Sequence, residues 1–159
     1  MSKYLLFLAC LTGGVPAPTT TVILNAFSDF NCTSAWTTRD GALGLRAGSG
    51  SGTCTASFPG ESGWYTIQIK VQAERDGAPP YSLSINGDKV DSGNYPYAWE
   101  DRLMCNESYF EYPDRNKIIT AGRFYIDKGD SIAFYGQETY PCGHDHGAYA
   151  KWHEIILTP

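Results

Sequence analysis

No stretch of this chain approaches the roughly 18 consecutive apolar residues of a membrane-spanning helix. Charge is also scarce. Only 18% of the residues are charged while 42% are hydrophobic, which excludes the compositions of disordered segments and coiled coils. Basic residues are outnumbered, 12 Lys and Arg against 17 Asp and Glu, and the net charge of −5 opposes the basic face that nucleic-acid binding needs. Several chemical signatures are missing as well. The sequence contains no Cys-x-x-Cys pair, no Gly-x-Ser-x-Gly elbow, no phosphate-binding loop and no His-Glu-x-x-His. No internal repeat is evident.

What is abundant points one way. Seventeen glycines, nine prolines and 14% aromatic residues in a 159-residue chain describe one domain of many short strands joined by turns. Residues 22–27 make a plausible first strand. Residues 40–53, with Gly41, Gly44, Gly48, Gly50 and Gly52, read as a long loop or a weak strand pair. The clearest periodicity follows. Tyr65, Ile67, Ile69, Val71 and Ala73 alternate with Thr66, Gln68, Lys70 and Gln72, the signature of a half-buried strand. Tyr81, Leu83 and Ile85 alternate into Asn86-Gly87, a strong hairpin signal. Phe124 and Ile126, then Lys128-Gly129-Asp130, then Ile132 and Phe134 predict two strands about a tight turn, and residues 148–157 the last strand. Residues 97–112 are expected to form a loop with at most one helical turn. The sum is a single all-β sandwich.

The N-terminus has the order of an export signal. Lys3 precedes eight apolar residues, 4–11, and small residues follow at Gly13 and Gly14 before Val15-Pro16-Ala17-Pro18. Residues 1–17 are therefore expected to be a signal peptide, cut between Gly13 and Ala17, with the domain spanning 18–159. The alternative is that residues 4–11 are a strand of the fold. Cysteine use agrees with a secreted, extracellular protein. Without Cys10 four remain, Cys32, Cys54, Cys105 and Cys142, an even number that favours two disulfides. Three pairings are possible. Cys32–Cys54 with Cys105–Cys142 is preferred, because each closes a loop-rich stretch, and each contributes about 3 kcal/mol. Asn31-Cys32-Thr33 and Asn106-Glu107-Ser108 are glycosylation sequons, which marks Asn31 and Asn106 as acceptor candidates.

Ordered motifs run through the second two-thirds of the chain. Gly63-Trp64-Tyr65-Thr66-Ile67, Ser84-Ile85-Asn86-Gly87, Gly129-Asp130-Ser131-Ile132 and Ala148-Tyr149-Ala150-Lys151-Trp152-His153-Glu154-Ile155 follow one another. In that order, over residues 55–159, they resemble jelly-roll carbohydrate-binding modules of families six and thirty-five and their relatives. The resemblance implies a galactose-binding-like β-sandwich that binds polysaccharide or glycan without catalysis. Many such modules hold a structural calcium through acidic residues on the first strand and an Asp on the last. Here the first strand offers Leu24 and Asn25, and His153 stands at the Asp position. Calcium takes six to eight oxygen ligands, so that site is expected to be absent or weakened and no cofactor is assigned.

Candidate contacts come from residues 92–116, which are rich in aromatics. Sugar rings present CH faces that pack on aromatic planes, and their hydroxyls need polar partners. Tyr97 and Trp99 with Glu100, Asp101 and Arg102 supply both kinds. These aromatics equally suit covering a sandwich edge or packing on another subunit. His144, His146 and His153 are candidates for zinc or copper, against a solvated Gly-rich loop as the plain alternative. Carboxylates for glycoside hydrolysis exist, among them Glu100, Asp101, Glu107, Glu111 and Glu138, but nothing in the sequence pairs two across a cleft. The chain is therefore expected not to be an enzyme. A second possibility is a self-assembling subunit of a fibre or surface layer, whose extended Pro/Thr arm joins copies by strand addition.

Overall fold

A computed structural model describes residues 13–159. The expected signal peptide lies outside the described residues except for its last five, and the alternative strand at 4–11 lies outside them entirely. Eleven strands follow in order: β1 (Val22–Asn25), β2 (Asn31–Cys32), β3 (Trp36–Arg39), β4 (Ala42–Leu45), β5 (Ser51–Ser57), β6 (Gly63–Ala73), β7 (Pro80–Ile85), β8 (Asp88–Asn94), β9 (Arg115–Ile126), β10 (Ser131–Gln137) and β11 (Trp152–Thr158). All pair antiparallel. One sheet runs β3-β4-β11-β6-β9, with β1 also on β11, and the other runs β2-β5-β10-β7-β8. Face to face, they form the jelly-roll sandwich that the sequence predicts. No helix among the described residues is long and apolar enough to cross a membrane.

Strict alternation builds the core. On β6, Tyr65, Ile67, Ile69, Val71 and Ala73 are buried, while Thr66, Gln68 and Lys70 face outward and Gln72 is covered by Asp40 and Asp114. In the opposite sheet, Cys54, Phe134 and Leu83 lie side by side across β5, β10 and β7, with Ala56, Ile132 and Ile85 forming the next rung. Each such aliphatic or aromatic side chain contributes about 2 kcal/mol when fully buried. Trp152 ties the sheets together, its ring 4.5 Å from Phe134 and 4.9 Å from Phe30. A bulge between Trp152 and Glu154 shifts the phase, so Trp152, Ile155 and Leu157 all reach the core.

Turn chemistry explains where the sequence expectation held and where it needs correcting. Asn86 and Gly87 both have positive φ, the I′-type geometry of the predicted hairpin. Asp40 and Gly41 do the same between β3 and β4, so the Gly-rich stretch 40–53 is no long loop but a hairpin arm and the start of β5. The last strand starts at Trp152 rather than residue 148, because Ala150 has φ of 50° and breaks the extended run. Residues 97–112 form the expected loop, with a single turn at its end where the Tyr112 amide donates to the Ser108 carbonyl at 3.0 Å. Glu100 and Asp101 are consecutive residues at positive φ, which an α-helix does not tolerate. The two disulfides join Cys32 to Cys54 and Cys105 to Cys142.

A buried ion cluster closes one end of the sandwich. Lys151, at the entry to β11, is almost fully buried. Its Nζ lies 2.8 Å from Asp40 and 3.1 Å from Glu74, and it also bonds Asp114. The cluster thus gathers the β3–β4 turn, the end of β6 and the start of β9 about one ammonium. Three carboxylates share a single cation, and burial pushes the Glu74 carboxyl up to about 7 despite Lys151 and the Tyr149 amide. Burial opposes the charge of Lys151, yet Glu74 and Asp114 together hold its pKa above the usual value.

Two predictions follow from that imbalance. Lys151→Met leaves three acids facing an apolar tail and should destabilise the fold by about 3–5 kcal/mol in denaturant titrations. Glu74 binds its proton more tightly when folded, so its contribution to stability is complete below about pH 4.5 and is lost as pH rises through 7. His153, whose pKa burial lowers, works with the opposite sign. Subtracting wild type from Glu74→Gln cancels it. The variant should gain on wild type between pH 5 and pH 8, by up to about 3 kcal/mol.

Candidate functional site

The same alternation that fills the core sends Trp64 the other way. Trp64 is the first outward residue of β6, directly opposite Tyr125 on β9. A bulge at Gly122 keeps Ile119 and Phe124 facing inward on β9, which leaves Tyr125 and Arg123 on the outer face. The two rings meet edge to face at 5.8 Å and remain 54% and 51% exposed. One register step inward, Thr66 lies opposite Arg123, which is exposed and makes no ion pair among the described residues.

Trp64, Tyr125 and Arg123 line a cleft of about 960 Å³. Residues 15–20, Val22, residues 60–63, Tyr65 and Pro159 complete the lining. The 60–63 turn is held from below. Tyr65 Oη donates to the Glu61 carbonyl at 2.8 Å, and the Lys128 amide donates to Ser62 Oγ at 3.0 Å. Gly63 makes room for the N-terminal segment, since a Cβ there would sit 2.5 Å from the Pro18 ring. The cleft offers two aromatic planes, proline rings, the hydroxyls of Thr19, Thr20 and Ser62, and one guanidinium. Glu61 supplies the only acidic side chain of the described lining, and it is paired with Lys128 at 3.4 Å. Hydrolysis of a glycosidic bond by the common routes needs two carboxylates flanking it.

The residues singled out from sequence lie elsewhere, in the loop that precedes β9. β6 runs 11 residues from the cleft to that end, so the two regions are roughly 30 Å apart. Trp99 Nε1 donates to the Pro113 carbonyl at 2.7 Å, Arg115 sits 3.1 Å above its ring, and Tyr112 packs on its edge. Arg102 pairs with Glu100 at 3.0 Å and with Glu107 at 3.3 Å. Asp101 is exposed beside them, and Tyr97 is half-buried. The loop is docked on the residues after β6, where Arg75 and Met104 exchange hydrogen bonds and the Ala98 amide reaches the Glu74 carbonyl. The structure therefore gives Trp99 packing partners on its face, edge and N–H.

His144 and His146 are exposed in the turn after Cys142, whereas His153 is on β11 with its Nε2 2.9 Å from Asn116. Among the described residues no three His, Cys, Asp or Glu side chains are grouped to hold a metal ion. Asn31 and Asn106 are both exposed. The sequence reading does not single out Trp64 and Tyr125, although a signal for Trp64 exists. If Tyr65 and Ile67 face the core, Trp64 faces water, and a tryptophan on the polar side of a strand calls for a reason.

No known sequence family and no characterised protein matches the chain by sequence. Solved structures do match its fold. A family 35 carbohydrate-binding module from Clostridium thermocellum superposes with a TM-score of 0.55 at 12% identity, covering 89% of this chain and 100% of the module. The C-terminal family 6 module of a marine laminarinase from Zobellia galactanivorans gives 0.55 at 13% identity, over 88% of this chain and 100% of that one. The insecticidal crystal protein Cry2Aa gives 0.61 at 12% identity over 91% of this chain, which spans 22% of that larger protein. At such identities the likeness is one of fold.

Exposure makes its own prediction. Trp36 and Trp152 are buried and Trp99 is covered, so Trp64 should dominate quenching of tryptophan fluorescence by acrylamide. Trp64→Phe should remove most of the quenchable emission, and Trp99→Phe little of it.

Proposed function

We propose that this chain is a secreted, non-catalytic carbohydrate-binding protein that holds glycan against Trp64 and Tyr125. The exposed aromatic pair at the mouth of the cleft carries this reading. Two large apolar rings left half in water cost the fold burial energy it could have gained, and they suit a ligand with an apolar face and a polar rim. A pyranose ring is such a ligand. Arg123 and the hydroxyls of Thr19, Thr20 and Ser62 stand where ring hydroxyls would need partners. The single acidic side chain of the lining favours binding over hydrolysis. The likeness in fold to carbohydrate-binding modules supports the same class.

The remaining expectations belong to this proposal. Residues 1–17 hold the leader, whose cut falls between Gly13 and Ala17, and the sandwich that follows is exported, in keeping with its two disulfides. Tyr97, Trp99, Glu100, Asp101 and Arg102 rank second as glycan contacts, because Arg115 already covers the Trp99 ring. Self-assembly is the other reading. β9, 12 residues long at the edge of its sheet, with exposed Ile118, is the feature that favours it.

Affinity electrophoresis through gels containing xylan, mannan, β-1,3-glucan or galactan tests the main reading. Wild type should be retarded by at least one of them. The Trp64→Ala Tyr125→Ala variant should lose that retardation while keeping its melting temperature. Unretarded wild type on every gel, or an unaffected double variant, contradicts the proposal.

A further inference from the structure

Residues 15–18 line the cleft together with the aromatic pair, although they precede the first strand of the sandwich. We infer that residues 15–18 are a working part of the glycan site, so that the position at which the leader is cut sets how tightly the protein binds. This inference rests on the carbohydrate-binding reading of the same cleft.

Three observations carry it. First, the segment is seated. Pro18 packs against the backbone of Gly63, in space that any other residue would fill, and Val22 pairs with Leu157 only four residues later. An arm tethered that closely cannot stray far from Trp64. Second, the fold itself gains little from the residues beyond Pro18. Val15 is 89% exposed, and Pro16 and Ala17 are exposed too, yet all three line the cleft. Apolar side chains left in water along one wall are available to a ligand. Third, proline holds its backbone near φ −65° without help from neighbours, so Pro16 and Pro18 give a wall that loses little entropy on binding.

The expected cleavage window now acquires a consequence. A cut after Gly13 keeps the whole wall. A cut after Ala17 removes Val15, Pro16 and Ala17, and leaves Pro18 as a charged terminus at the cleft. The two products share every residue of the sandwich and differ only at this site.

Gly63→Ala tests the arm, because its new methyl group collides with the Pro18 ring. Gly63 has no positive φ, so the backbone accepts alanine there. Affinity should be measured by electrophoresis in the polysaccharide that retards wild type best. Compared forms are one beginning at Gly14, one beginning at Thr19, Gly63→Ala, Pro18→Gly, and Pro18→Gly with Gly63→Ala. The Thr19 form and Gly63→Ala should each bind about fivefold to tenfold more weakly than the Gly14 form, a loss of roughly 1 kcal/mol. Gly63→Ala should add no further loss once Pro18→Gly has removed the ring, which a general weakening of the fold would not reproduce. Equal affinity of the Gly14 and Thr19 forms, with binding still abolished by Trp64→Ala Tyr125→Ala, overturns the inference and leaves the site intact. Tighter binding by the Thr19 form overturns it too, since the arm would then be a cover. Binding that survives Trp64→Ala Tyr125→Ala sinks the site itself and the arm with it.

Discussion

Strict two-residue alternation along β6 is the constraint on which the rest of this molecule depends. β6 pairs along its whole length with β9 and over much of its length with β11, so it fixes the register of the larger sheet. Its inward side chains, from Tyr65 to Val71, are the centre of the core. Shifting that strand by one residue would send five buried side chains into water and bring Gln68 and Lys70 inside. Trp64 is exposed by the same rule that buries Tyr65. Core and candidate site are thus two consequences of one pattern.

The two ends of β6 are organised by different physics. At the far end, where β6 leaves the sheet, Lys151 draws Asp40, Glu74 and Asp114 from three separate turns around one buried ammonium. Such a cluster is costly to desolvate and adds little net stability over apolar packing, but it tolerates few alternative arrangements of the chain. Nearby, Cys105–Cys142 and the Arg75–Met104 bonds fasten the long aromatic loop that Trp99 anchors. At the near end the restraints are lighter. The 60–63 turn is held by two hydrogen bonds and the exposed Glu61–Lys128 ion pair, and the arm before β1 by the fit of Pro18 on Gly63. The Trp99 ring is covered at the first of these ends, whereas Trp64 and Tyr125 stand half exposed at the other.

Much of the sandwich was legible in the sequence because its signals are local. Alternation in β6 and β7, the Asn86-Gly87 turn and the even cysteine count each need only a few neighbouring residues. The Asp40-Gly41 hairpin was obscured by its own composition, since Gly44, Gly48 and Gly50 look like loop. Gly44 is in fact a strand residue, where a Cβ would crowd the Lys151 side chain. Most of β9 was hidden for another reason. Its bulge at Gly122 breaks the period, and Ile119 and Phe124 face the core from the two sides of that break. The aromatic cleft could not be assembled from sequence, because Tyr125 meets Trp64 only through pairing 61 positions apart. The loop at 97–102 drew attention by aromatic density, and density does not reveal that Arg115 lies across the Trp99 ring.

On this proposal, ligand meets the chain at Trp64 and not at Trp99. Indole N–H resonances report this directly, since the four tryptophans sit in distinct surroundings and Trp64→Phe and Trp99→Phe assign their signals. The measurement is a titration of 15N-labelled protein with a soluble oligosaccharide from the polysaccharide that retards it. The Trp64 signal should move and saturate while the Trp99 signal, held by the Pro113 carbonyl, stays in place. Movement of Trp99 with a stationary Trp64 would contradict the proposal.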